Sequence, residues 1–276
     1  MAVFESFRDG WTALRTTPSL LLAGGLLVAL PLAGALDLGT AEPVAQLATV
    51  LALPFVLGGF LAMATAALRD GEPSLRSFVR AGGANYLRLV GGVVLFGLGL
   101  GAVMTLVTTL SFAPVVLIAV AGRADLAAVG AGLGAAVAIV TSVAALAAGF
   151  LFLQFFAPAI AVEGRGVVDG LRRSVGLVRR KLASAVGFTL LWAIVVDAVP
   201  TPRPLLESGG AETLRAVGVP GEALPVAVAV VGVVSVMGLT YCYTVYVAYF
   251  LRLTGAEPTR RPETEPADPG TAVGTQ

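Results

Sequence analysis

From Leu89 to Val120 the chain runs for 32 residues without one charged side chain. A helix of that length measures about 48 Å, against a hydrocarbon core of roughly 30 Å. Five further apolar stretches accompany it: Pro18–Leu36, Val44–Leu68, Ala127–Val162, Leu182–Val199 and Leu224–Leu253. Only Asp197, near the end of the fifth stretch, and Arg252, at the end of the sixth, bring charge into them. Backbone polar groups in lipid must find partners within the chain, so runs of this kind are read as helices. The bulk composition agrees. Hydrophobic residues make up 57% and charged residues 13% of the 276, which excludes a disordered chain and speaks against an ordinary soluble enzyme. The opening 36 residues have the outline of a signal peptide, but equally apolar runs follow, and Pro18–Leu36 reads as the first of several spans.

Net charge is +1, and position carries the information. Arg8 and Arg15 precede the first stretch. Arg69, Arg76, Arg80 and Arg88 lie between the second and third. Arg165, Arg172, Arg173, Arg179, Arg180 and Lys181 separate the fourth from the fifth, and Arg252, Arg260 and Arg261 close the sixth. The alternate connections hold Arg123, Arg203 and Arg215, alongside Asp37, Glu42, Asp125, Glu207, Glu212 and Glu222. The positive-inside rule then places both termini and the arginine-rich connections in the cytoplasm of a multi-pass cell membrane protein.

Two of the inner connections, Ser74–Arg88 and Val167–Lys181, carry helical periodicity. Val168, Leu171, Val175 and Val178 recur along one, with Arg172, Arg173, Arg179 and Arg180 on its other faces; in the other, Leu75, Phe78 and Val79 accompany Arg76 and Arg80. Short basic amphipathic helices at this level lie in the headgroup plane. The fold expected is therefore all-α: a polytopic membrane helix bundle of six transmembrane helices with two short cytoplasmic-side interfacial amphipathic helices. Arg76, Arg80, Arg172, Arg173, Arg179, Arg180 and Lys181 are the candidate contacts to anionic lipid headgroups.

Weak self-similarity runs through this pattern. Arg8-Asp9-Gly10, Arg69-Asp70-Gly71 and Glu163-Gly164 each read as an acidic-Gly turn, followed by a Leu-Arg pair in a short basic amphipathic helix and then apolar chain. The expected organisation is a 1–254 membrane domain with a three-fold parallel repeat, 1–68, 69–160 and 161–253. A Pro-, Thr- and Glu-rich tail over 255–276 is expected to be disordered. The largest outer loop, Pro200–Ala223, has room for one short helix over Ala211–Val217.

Signals for chemistry are sparse. There is no histidine and one cysteine, Cys242, so neither a disulfide nor a Cys/His metal site is expected, and no cofactor. No serine has a histidine base, and no glycine-rich loop carries a phosphate-binding lysine. Asp197 and Tyr243, the latter beside Thr240 and Thr244, are the weak candidates for a polar site within the spans. Tyr246 and Tyr249 read as rings of the inner aromatic belt, with Trp11 beside them. The pairs Gly97/Gly101 and Gly130/Gly134 suggest close helix approach, and the repeated Phe112-Ala113-Pro114 and Phe156-Ala157-Pro158 suggest kinks.

Two stretches carry a family resemblance: Phe7-Arg8-Asp9-Gly10-Trp11 through Pro18, and Phe156-Ala157-Pro158-Ala159-Ile160-Ala161-Val162-Glu163-Gly164 through Gly170-Leu171-Arg172-Arg173-Ser174. With these the chain resembles uncharacterised multi-span integral membrane proteins of haloarchaea. Those are distantly similar to the membrane domain attached to some bacterial glycerophosphoryl diester phosphodiesterases. The resemblance covers residues 1–254 and implies six helices. It implies no phosphodiesterase activity, because the soluble barrel that carries it is absent from this sequence, and it supplies no functional residue.

The function expected is that of a non-enzymatic integral membrane protein which organises lipid or scaffolds a membrane protein partner, with no role for nucleic acid. The alternative is a transporter or channel-like permease for a small or amphiphilic solute. A permease should show a polar midplane cavity lined from several spans. A scaffold should show a filled core and a groove or platform at the inner face.

Overall fold

A computed structural model of the chain describes residues 2–34, 39–69, 71–122, 124–206 and 210–256. The expected tail from 257 onward, Asp37, Asp70, Arg123, Glu207, Arg260 and Arg261 lie outside the described residues. The helices in order are α1 (Ala2–Thr16), α2 (Ser19–Gly34), α3 (Glu42–Leu68), α4 (Leu75–Val120), α5 (Ala124–Leu153), α6 (Phe156–Ala161), α7 (Val167–Arg180), α8 (Leu182–Asp197), α9 (Arg203–Leu206), α10 (Gly210–Ala216) and α11 (Leu224–Thr254). The molecule is an all-α, multi-span membrane helix bundle.

Among the described residues, four stretches of helix are long and apolar enough to cross a membrane: α3, α4, Gly130–Ala161 (most of α5 together with α6), and α11 with the turn before it. A fifth span arises if α1 and α2, bent by 106° at Thr17–Pro18, are taken as one. At the first and fifth expected spans stand α2 and α8, helices of 16 residues, or about 24 Å. Each falls short of the roughly 30 Å core by itself.

The C-terminal half of α11 is the axis of the fold. Cys242, Val245, Val247, Ala248, Phe250 and Leu251 are buried there, and α1, α2, α3 and α8 pack around it. Small residues set the close approaches. A Cβ on Gly24 of α2 would fall 1.7 Å from Thr240 Oγ1, and one on Gly59 of α3 would fall 2.6 Å from the Phe78 ring of α4. The long α4–α5 hairpin leans away from this centre. Beyond Gly92 no residue of α4 is buried, and the helix as a whole packs against α3 and α5.

Three expectations change here. Ser74–Arg88 does not form a separate short helix. Ser74 and Ser77 cap it in a reciprocal box, and the helix then continues unbroken to Val120, since no proline or turn intervenes before the apolar run. Arg8-Asp9-Gly10 is not a turn but the middle of α1, whereas Gly164, with φ of +69°, does turn the chain before α7. Gly97 and Gly101 face open space, with nothing within 4 Å of a Cβ on either; Gly134 packs against α4 at the Ser111 carbonyl.

Of the two Phe-Ala-Pro triplets, the first sits in continuous helix, and the second marks a break. The α5–α6 helix opens at Gln154–Phe155, four residues before Pro158. Pro158 has no N–H to offer the Gln154 carbonyl. Tyr246 of α11 donates its hydroxyl to that oxygen instead. Ser174 of α7 accepts from the Phe155 N–H at 3.0 Å and donates to the Phe152 carbonyl at 2.7 Å. The Gln154 side chain donates to Thr189 of α8 at 2.7 Å. A broken helix in an apolar interior is tolerated because α7 and α11 take up the freed backbone groups, while α8 holds the Gln154 side chain.

Candidate functional site

The expected lipid-contacting residues come from two helices that meet at one end of the bundle. The foot of α4 carries Arg76 and Arg80, one turn apart. Together with Leu75 and Val79 they form an open, shallow face on this one helix. Both arginines are exposed, and neither has an ion-pair partner among the described residues. α7 meets α4 about two to three turns beyond Arg80. Val167 comes within 3.2 Å of where a Gly91 Cβ would be, and Arg88 donates to the Gly164 carbonyl at 3.2 Å.

α7 is amphipathic in its contacts as well as its sequence. Gly170, Ser174, Leu177 and Val178 are buried, spaced so that they form one face. Arg172, Arg179, Arg180 and Lys181 are exposed and unpaired among the described residues. Arg179, Arg180 and Lys181 also sit at the helix C-terminus, where the backbone dipole favours positive charge. Arg173 differs from these. It turns to Glu163, with its Nη2 3.1 Å from Oε1, and Arg165 pairs with the other oxygen of the same carboxylate. Burial alone would raise the Glu163 carboxyl. The hydrogen bonds and charges of Arg165 and Arg173 outweigh it and hold the group below its ordinary 4.5. Of the seven basic candidates, six therefore point outward and one is structural.

The weak polar candidates are not brought together. Asp197 is the last residue of α8 and is exposed. Tyr243 is half-buried, edge-on to Phe60 and Trp192 at 6.1 and 6.2 Å. Its neighbours Thr240 and Thr244 donate to their own helix, at Val236 and Thr240. Tyr246 and Tyr249, expected in the lipid-facing belt, are instead core residues, because each hydroxyl has a partner inside the protein: the Gln154 carbonyl for Tyr246 and Ser184 for Tyr249. Their rings stack with Phe155 and Phe188 respectively. Among the described residues no group of three or more His, Cys, Asp or Glu side chains is placed to hold a metal ion.

Sequence reasoning missed two features here. The staple at Gln154–Phe155 joins residues far apart in the chain, and only Pro158 signalled it. The amphipathic α1 was hidden by the short Asp-Gly pattern, although Ser6, Gly10, Ala13 and Leu14, all buried, follow helical spacing.

No curated protein and no solved structure matches the chain. A family model described as Domain of unknown function (DUF7847) matches residues 1–253, the whole helical part from α1 to within one residue of the end of α11. The chain belongs to the DUF7847 family.

Proposed function

We propose that this protein is a non-enzymatic, six-span protein of the cytoplasmic membrane, with α2 and α8 as its short spans and both termini inside. Its role is to organise anionic lipid at the inner face. The observation that carries this reading is the set of cations on two adjoining helices with no ion-pair partner among the described residues, Arg76 and Arg80 beside exposed Leu75 and Val79, and Arg172, Arg179, Arg180 and Lys181 on α7. Guanidinium groups flanked by exposed aliphatic side chains suit a ligand with a phosphate at one end and hydrocarbon at the other. Each such cation contributes about 1 kcal/mol of attraction near an anionic surface, so the group as a whole retains lipid while a single arginine does not.

Two further observations support the reading over a permease. The centre of the bundle is filled by Phe60, Phe155, Phe188, Tyr249 and Phe250, all fully buried. The polar groups near it, Gln154, Ser174, Thr189, Thr240, Thr244 and Tyr246, are engaged in hydrogen bonds to the protein itself. A partner membrane protein docking on the same cations would add a scaffolding role to lipid binding.

The test is purification of the full chain in native-lipid discs, with mass spectrometry of the retained lipid. Enrichment of anionic lipid over the bulk membrane, lost in the R76Q/R80Q/R172Q/R179Q/R180Q/K181Q variant, is expected. Retained lipid of bulk composition, the same in both proteins, would overturn the reading. A defined small solute carried by both would favour transport.

A further inference from the structure

Helix α1 has a second surface that the α4–α7 end does not use. Its inner side, Ser6, Gly10, Ala13 and Leu14, is buried, and a Cβ on Gly10 would come 2.6 Å from Val245 of α11. Its outer side carries Phe4, Arg8, Trp11 and Arg15. Their spacing of four, three and four residues aligns them in one stripe along the helix. All four are exposed, Phe4 at 76% and Trp11 at 49%, and the Arg15 guanidinium lies 5.8 Å from the centre of the Trp11 ring. Neither Arg8 nor Arg15 has an ion-pair partner among the described residues.

That lack of partners is unexpected from the sequence of α1, because Glu5 and Asp9 lie within a turn of Arg8. Both acids are instead drawn to one flank by Arg252 of α11, at 2.5 Å to Glu5 and 2.6 Å to Asp9. The opposite flank is aromatic. Phe7 and Trp11 meet Tyr241 edge-on at 6.2 and 6.0 Å. Tyr241 lies eleven residues before Arg252, or about 16 Å deeper along the spanning helix. With α11 spanning the membrane as proposed above, α1 crosses it with the aromatic flank toward the bilayer interior and the acidic flank toward water, and the 106° bend from α2 turns α1 out of the span direction. The arginine stripe falls between those flanks, at headgroup level.

We propose that the Phe4–Arg8–Trp11–Arg15 stripe is a binding site for anionic phospholipid. Arg8 and Arg15 donate to the phosphate oxygens, and Phe4 and Trp11 rest in the boundary between headgroups and acyl chains. The two aromatic side chains commit the site to lipid over free phosphate, which would have no use for them. Arg252 serves the site at a distance, by withholding Glu5 and Asp9 from Arg8. The site stands on a different helix from the α4 and α7 cations and does not depend on their role.

Trp11 is its own reporter. The full chain and a W11F variant are reconstituted into vesicles of phosphatidylcholine with a fixed fraction of brominated lipid, either phosphatidylglycerol or phosphatidylcholine. The difference in emission quenching between the two proteins isolates Trp11 from Trp192. Quenching about twofold stronger by the anionic brominated lipid is expected. R8Q/R15Q should make the two lipids equal, and R172Q/R179Q should leave the preference intact. Equal quenching by both lipids in the wild-type chain would overturn the proposal, as would no quenching by either, which would mean that the stripe is covered by protein. Loss of the preference in R172Q/R179Q would also overturn it, by assigning the selectivity to α7. The wild-type comparison decides even if R8Q/R15Q alters the fold.

Discussion

Arg252, in the last turn of α11, holds Asp9 of α1 through two nitrogens on one carboxylate oxygen, Nε at 2.8 Å and Nη2 at 2.6 Å. Its third nitrogen reaches Glu5 at 2.5 Å. The arginine side chain is only 9% exposed, while those of Asp9 and Glu5 are 21% and 42% exposed. Removing the cation leaves two carboxylates facing an apolar contact between α1 and α11. R252M is expected to cost about 1–3 kcal/mol, below the range for fully buried pairs because water still reaches both acids. Thermal unfolding in detergent measures the loss. Faster proteolysis within α1 than within the α3–α4 connection would show that the loss is local to the α1 contact. An R252M protein as stable as wild type would mean that the ion triad contributes nothing.

A second prediction concerns the opened helix at Gln154–Phe155. Ser174 is fully buried and serves two backbone groups there, the Phe155 N–H and the Phe152 carbonyl. S174A strands both in a medium without water, and the expected loss is about 1–3 kcal/mol. Y246F removes the donor to the carbonyl that Pro158 cannot serve, with an expected loss of about 1–2 kcal/mol. T244V is the comparison, since the Thr244 hydroxyl donates only to its own helix at Thr240, where backbone pairing is already made. S174A and Y246F should each lower the unfolding temperature more than T244V does. Equal shifts for all three would show that the break is not held by these side chains.

The glycines divide cleanly. G24A places a methyl 1.7 Å from Thr240 Oγ1, so either α2 or α11 must move, at an expected cost of about 1–3 kcal/mol. T240A removes that oxygen but leaves the Thr240 Cβ at 2.8 Å, so the double variant should recover only part of the loss. G97A meets nothing within 4 Å and should leave stability unchanged or slightly raised by better helix propensity. Unfolding curves of the four proteins decide the matter; G24A as mild as G97A would contradict the close contact of α2 with α11.

The contrast between Gly24 and Gly97 also shows what the chain discloses before it folds. Apolar length places helix in each of the six stretches, four of them long enough to cross a membrane, because lipid imposes one backbone solution on any long uncharged run. Which glycine faces a neighbour is a property of helix rotation: Gly97/Gly101 of α4 has the same spacing as Gly130/Gly134 of α5, yet only the latter pair meets a neighbouring helix. The α4 foot reads as a separate helix because its charges end where the apolar run begins. Helix continuity depends on caps and breakers, and the cap is at Ser74 with no breaker after it. Arg173 looks like its neighbour Arg172. Only the turn at Gly164 brings Glu163 back to one and not the other. The basic candidates were visible as charges; whether each was free or paired was not.

Glu163 offers a test of that pairing through pH. Its carboxyl is held below its ordinary value of 4.5 by Arg165 and Arg173 against the opposing effect of burial. A carboxyl whose folded value lies below its unfolded one stabilises the fold above the unfolded value, and the gain is lost as pH falls through the folded value. The stability advantage of wild type over E163Q should therefore be constant at neutral pH and shrink once pH drops below 4.5. The carboxylate side chain is 19% exposed and Arg165 is 41% exposed, so solvent screening keeps the whole effect modest, and added salt should reduce it further. R173Q should flatten the same profile more than R165Q, because the Arg173 side chain, at 27%, is the less exposed of the two. Unfolding temperatures of wild type, E163Q, R165Q and R173Q across the acid range provide the measurement. A wild-type advantage that grows on acidification would reverse the sign and rule out the arginines as the cause of the shift.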